Sequence, residues 1–342
     1  MKLRGIIYAC AVLFLFEGCK PDREFQSLTN DPAVNIIVPD HFPDFPETPD
    51  NLITEKKVEL GRLLFHDERL SRDGTVSCAT CHLQQLAFSD GLIISEGIEG
   101  RTSLRNAPSL ANLAWHPRLF MDGGVPNLEV QILAPIQDEN EMDHNIILVS
   151  EELSADPTLQ SLSEEVFDRG IDPFTITRSI AAFERTILST NSKYDQFLQG
   201  DIELSDQEEL GRTLFFSDEL NCGGCHSGAL LSDFSYSNVG LYEDYEDSGR
   251  ERITLLQEDW GKFKVPPLRN VALTSPYMHD GSIATLEETI IFFASGGFTH
   301  PNKDSRMTGF ELSEDEKIAL IAFLETLTDQ SLLNNIELRP SQ

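Results

Sequence analysis

Cys78-Ala79-Thr80-Cys81-His82 and Cys222-Gly223-Gly224-Cys225-His226 are the stretches whose reading decides the fold. Two cysteines three apart lie on one side of a helical turn, within reach of both vinyl groups of one porphyrin. The histidine that follows lies under the ring and can ligate iron. With 6 Cys and 8 His in 342 residues, the chance expectation for one such motif is on the order of 0.003 per chain. A four-cysteine zinc site would leave both histidines unexplained, and a redox dithiol expects a βαβ context that is missing. The motifs therefore predict two covalent c-type haems.

The surroundings repeat as well. Glu59-Leu-Gly-Arg-Leu-Leu-Phe65 precedes the first motif, and Glu209-Leu-Gly-Arg-Thr-Leu-Phe215 precedes the second. After the motifs, Leu104-Arg-Asn-Ala-Pro108 is matched to Leu268-Arg-Asn-Val-Ala272. Asp122-Gly-Gly-Val-Pro-Asn-Leu-Glu129 is matched to Asp280-Gly-Ser-Ile-Ala-Thr-Leu-Glu287. This predicts a duplication: a first domain over 51–200, a second over 201–332 and a tail over 333–342. Ser205-x-x-Glu208 and Ser313-x-x-Glu316 are capping boxes, residues 174–190 form a long amphipathic run, and no period-2 alternation is sustained. The expected fold is all-α, two tandem cytochrome c-like helical domains.

The N-terminus carries Lys2, Arg4 and an apolar run from Ile6 to Phe16, which predicts a secretory signal over 1–18. Cys19 stands where a lipoprotein would be cleaved and lipidated. Plain secretion and an uncleaved anchor remain open, and all three put the folded body outside the cytoplasm, in the periplasm. The Asp- and Pro-rich residues 19–50 read as a tether with an extended lead-in. Hydrophobic residues at 40% with 24% charged indicate a globular protein. The net charge of -31 excludes nucleic acid as a natural partner.

These motifs, with LRNAPSL, AAFERTI and KVPPLRNVALTSPYMHDGSIATLEE in order, resemble the bacterial di-haem cytochrome c peroxidase and MauG superfamily over about residues 50–330. The resemblance implies that His82 and His226 are proximal ligands beside the attachment pairs Cys78/Cys81 and Cys222/Cys225. It implies peroxide reduction at the first haem, with Gln131 and Glu141 as pocket residues: a carboxylate to move a proton and an amide to orient the peroxide. It places a calcium ion at Asn106, Thr274 and Pro276, and His279 at the edge of the second haem. Electrons would come from a small donor protein, a cytochrome c or a cupredoxin, which the acidic surface would steer if it were cationic. Members of the family often form homodimers.

Three departures from the pattern matter. No histidine occurs between Leu83 and Trp115, where many of these peroxidases carry one that blocks the first iron. Phe293 stands where Met or Tyr would ligate the second iron, leaving Met278, Met307 or His300 as substitutes. Met121 replaces a Trp between the haems, with Trp115 as a stand-in. His116 is the next histidine after the unblocked stretch, and His66 reads as a surface residue. Two other readings stay open: a MauG-like oxidase of a protein or organic substrate, and a non-catalytic electron carrier or sensor.

Overall fold

Glycine in the middle of a helix costs stability unless something needs the space. In the computed structural model, which describes residues 31–340, the two E-L-G-R helices show what needs it. A Cβ on Gly61, in helix Glu55–Phe65, would run into the Ser179 carbonyl and Phe183 of helix Pro173–Glu184. A Cβ on Gly211, in helix Asp206–Phe215, would run into the Ala319 carbonyl and Phe323 of helix Glu314–Glu325. Each glycine lets two helices cross at close range, and each crossing founds one domain. Glu59–Arg62 and Glu209–Arg212 repeat as ion pairs on the outer faces.

Leu60, Leu64, Phe65, Ile180 and Phe183 fill the first core, and Phe215, Leu320, Phe323 and Leu324 the second. The capping boxes form as expected: Ser205 opens its helix at Asp206 and Ser313 opens its helix at Glu314. The 174–190 run is helical over Pro173–Glu184, with Asp172 as its cap. Among the described residues the strands are two residues long, Tyr236–Ser237 against Phe263–Lys264. Among the described residues no helix is long and apolar enough to cross a membrane. The signal and the Cys19 lipidation site lie outside the described residues.

The structure shifts the register of the repeat. The L-R-N identity aligns Asn106 with Asn270, but the backbone aligns Asn112 with Asn270. Both are left-handed, at φ 63 and 61, and both open a short 3-10 turn. Both N–H groups donate into the loop after the long helix, Asn112 to Ile187 (2.8 Å) and Asn270 to Leu327 (3.0 Å). Both stand ten residues before the Asp of the turn, Asp122 or Asp280. The counterpart of Lys264 is therefore Asn106, and that of Leu324 is Glu184.

The ends also differ from expectation. Residues 31–50 do not hang free. His41 meets the buried Asp195 at 2.7 Å, and Phe42 is buried under the Arg269 guanidinium. Leu332, at the end of the stretch read as the second domain, and Leu338 of the tail both return to the first core, while Gln84 donates to the carbonyls of Leu332 and Asn335. Core membership changes between Ile187 and Tyr194, earlier than residue 200. Tyr194 packs edge-on against Phe323, which ties helix Lys193–Leu198 to the second core.

Candidate active site

The short helix Cys78–Cys81 and the turn Cys222–Gly224 bring each cysteine pair to the wall of one large cavity of about 1690 Å³. That exceeds the ~300–1,000 Å³ of an ordinary ligand site, as room for two macrocycles would require. None of the four cysteines is in a disulfide. Burial pushes their thiols up, Cys81 and Cys222 to about 11, so as free groups they are neither thiolates nor ready metal ligands. Among the described residues no three His, Cys, Asp or Glu side chains converge as a metal cluster would need.

The two histidines are held alike. His82 Nδ1 donates to the Phe88 carbonyl (2.8 Å), and His226 Nδ1 donates to the Leu231 carbonyl (3.0 Å). Phe88 and Leu231 both have positive φ, 63 and 52, which turns those carbonyls back toward the rings. Each bond fixes the tautomer and leaves Nε2 as a lone-pair donor, the arrangement an iron-ligating imidazole needs. Burial pushes both rings below the ordinary range, so they stay neutral. The donor sets and the cavity thus fit covalent haem in each half.

Gln131 and Glu141 line this cavity together with Cys78, Cys81 and His82. Gln131 ends the turn Leu128–Gln131, which Asn127 caps. Glu141 is clamped by its backbone: its N–H donates to Asp138 and its carbonyl accepts from Ile98 (2.8 Å). Gly97 lies so close to Asn140 and Glu141 that a side chain there would displace them. Burial, with Asp138 adding to it, raises the Glu141 carboxyl to about 7.

Asn106, Thr274 and Pro276 also line the cavity. Asn106 spends its Nδ2 on the Leu92 carbonyl (2.7 Å), which leaves its Oδ1 as an acceptor. His279 stacks face to face on Phe263, centroids 3.8 Å apart. Met278, Phe293 and Met307 line the cavity, but His300 does not: its Nδ1 accepts from the Asn302 N–H (3.1 Å), beside Asn238. Trp115 does not line it either. Its Nε1 donates to the carbonyls of Pro43 and Asp44, and its ring packs on Phe42 and Phe45. His66 is tied to the Leu338 carbonyl (3.1 Å).

One cavity residue escaped the motif reading. Glu184 is 4% exposed, burial raises its carboxyl to about 8, and its Oε2 has no hydrogen-bond partner among the described residues. Its counterpart is Leu324, a mismatch that appears when AAFER (181–185) is aligned with IAFLE (321–325).

A sequence profile described as di-haem cytochrome c peroxidase matches residues 55–203, and one described as cytochrome c matches 208–328. The methylamine utilization protein MauG of Methylorubrum extorquens is 36% identical over 284 residues, 81% of this chain and 79% of that protein. The chain belongs to the di-haem cytochrome c peroxidase family. Within this family, the cytochrome c551 peroxidase of Nitrosomonas europaea is 35% identical, covering 82% of this chain and 81% of its own length. The crystal structure of a MauG-like protein associated with microbial copper homeostasis superposes with a TM-score of 0.86 at 36% identity, over 90% of this chain and 99% of that one. The di-haem peroxidase fold thus accounts for both cysteine pairs as elements of tandem cytochrome c domains that carry covalent c-type haem.

Proposed function

We propose that this chain reduces hydrogen peroxide to water in its first domain, with electrons that a small donor protein delivers through the second. Cys78, Cys81 and His82 would hold one haem, and Cys222, Cys225 and His226 the other. When bound, the first haem supplies an iron face at which peroxide is split, and the second supplies or stores one of the two electrons. The chain's own part is proton handling and orientation. Glu141 takes the proton from the inner peroxide oxygen on a carboxylate oxygen and returns it to the outer one, so that water leaves. The Gln131 amide donates to the peroxide and fixes its direction. The supporting observation is that a carboxyl raised to about 7 lines the same cavity as His82 and the first cysteine pair. A group so poised can both accept and release a proton at neutral pH.

The donor side follows from charge. A net of -31 favours a cationic cytochrome c or cupredoxin, with an encounter that weakens as salt rises. Asn106 Oδ1 with the backbone carbonyls of Thr274 and Pro276 would take a calcium ion, completed by water. His279 would sit at the edge of the second haem. Export to the periplasm, a lipid on Cys19 and pairing into a homodimer complete the reading. The test is steady-state peroxide consumption with reduced cytochrome c. Turnover should begin without a pre-reduction lag, because the segment 83–115 supplies no histidine to block the first iron.

A MauG-like oxidation of a partner molecule is the second reading. The same missing histidine favours it, and so does the likeness to MauG proteins. Mixing the protein with peroxide and no donor separates the two. A long-lived two-electron-oxidised protein supports oxidase chemistry, and rapid return to the resting state supports the peroxidase.

A further inference from the structure

The two halves meet through reciprocal contacts. The Asn106 N–H donates to the His279 carbonyl (2.9 Å), and its counterpart Lys264 donates its N–H to the Met121 carbonyl (2.6 Å). Met121 and His279 are themselves counterparts, each just before the Asp of its turn. Reciprocity of this kind marks a pseudo-two-fold relation between the domains. In the same register His116 answers to Thr274 and Arg118 to Pro276. The proposed cation site draws Asn106 from the first half and Thr274 and Pro276 from the second. Its mate draws Lys264 from the second half and His116 and Arg118 from the first.

In the mate, the cation belongs to the chain. Lys264 Nζ donates to the Arg118 carbonyl (3.0 Å) and lies 3.4 Å from His116 Nδ1. Among the described residues no carboxylate forms an ion pair with that ammonium. Asp122, the acid that acts on it electrostatically, is already held by Arg105 and Arg252. Burial pushes Lys264 down to about 8. An ammonium can only donate, so His116 Nδ1 is the acceptor and the ring proton sits on Nε2. His116 Nε2 is buried and has no hydrogen-bond partner among the described residues. Lys264 and His116 both line the large cavity. A buried ammonium without an anion is costly, and a carboxylate reaching the cavity wall relieves it.

We propose that Lys264 and His116 form a carboxylate-binding site that anchors a haem propionate, a built-in cation where the opposite side of the junction takes a metal ion. The site rests on the reading that this cavity holds haem, and it gives a role to two residues that the sequence leaves without one. A carboxylate on Lys264 holds the ammonium charged, and His116 Nδ1, which accepts from the same ammonium, fixes where that carboxylate sits. The positive charge favours the reduced state of the haem whose propionate it holds.

The experiment uses the haem-loaded full chain and its variants Lys264→Met, Lys264→Arg and His116→Phe. A pyridine haemochrome count comes first: two haems per chain uphold the reading beneath the proposal, and a wild-type chain without haem overturns that reading. Resonance Raman spectra of the propionate bending region and spectroelectrochemical midpoint potentials then test the site. Lys264→Met should shift one propionate band and lower the potential of one haem while leaving the other unchanged. Lys264→Arg should keep both near wild type, and His116→Phe should shift the band in the same direction by less. Two haems with unmoved propionate bands and unmoved potentials in Lys264→Met and His116→Phe would overturn the proposal. Unmoved bands with a potential that responds only to added acetate would also overturn it, and would assign the site to a free carboxylate.

Discussion

Glu184 and Leu324 occupy the same place in the two domains, each one residue beyond the phenylalanine that a helix-crossing glycine touches. Leu324 packs into the second core, whereas Glu184 brings a carboxyl to the cavity next to Cys78, whose thiol feels its charge. The duplication has thus been broken at a buried position, and only in the half that carries Gln131 and Glu141.

That difference predicts a pH signature in stability. Burial is the main cause of the raised Glu184 carboxyl; Glu129 adds to the rise and Arg185 opposes it. The folded protein holds a proton that the unfolded chain releases above about pH 4.5. Stability therefore falls as pH rises from there to about 8, where the folded state also ionises. Thermal unfolding of the haem-loaded Glu184→Leu variant should show a flatter profile and a higher midpoint than wild type at pH 8. Parallel profiles for the two proteins would refute the assignment.

Replacing Glu141 with Gln removes the proton carrier and keeps the shape. Peroxidase turnover should fall by ~10²–10⁴-fold, the usual worth of a general acid–base group. Haem content should not change. In the wild type, kcat/KM should rise with pH through about 7, as Glu141 ionises and can accept a proton. A rate close to wild type in Glu141→Gln would take the carboxylate out of the reaction.

Gly61→Ala and Gly211→Ala test the helix crossings. Each Cβ would meet a backbone carbonyl, which cannot swing aside as a side-chain tip can. A loss of ~1–3 kcal/mol in either variant is the expected cost of overpacking, measured by denaturant unfolding. The two losses should be similar, because the crossings are built alike.

Asp195 accepts from both Arg269 terminal nitrogens at 2.7 Å, and from His41 and Ser192. Burial acts to raise its carboxyl, but the Arg269 guanidinium outweighs that and holds it below the usual range. The resulting stability is present at neutral pH and is lost as acid protonates the group. Asp195→Ala would strand a buried guanidinium, at a cost of ~3–5 kcal/mol, and would release Phe42 from its seat. Calorimetry checks the first effect, and proteolysis ahead of residue 50 checks the second.

Much of this was legible in the sequence because the haem motifs and the E-L-G-R helices are local patterns. Capping boxes and glycine spacing are read within one or two helical turns, and those elements formed where expected. The register of the repeat is hidden in the sequence because the L-R-N identity points to a different alignment from the backbone conformation. The left-handed turn shared by Asn112 and Asn270 has no strong signature, since asparagine suits many turns. Trp115 is near Met121 in sequence, which suggests a stand-in between the haems. Its indole instead closes over Pro43 and Asp44, a contact that chain order cannot show. Lys264 and His116 are distant in sequence and meet only because the domains face each other across a pseudo-two-fold.

The crossed ends carry a last implication. Leu332 and Leu338 leave the second domain to seal the first, while His41 and Phe42 leave the first to seal the second. Each half therefore lends the other a piece of its own chain, as two hands clasp by interlaced fingers. A nick in the link between Ile187 and Tyr194 would not let the halves drift apart, and either half produced alone would expose a greasy furrow where its neighbour's strap belongs.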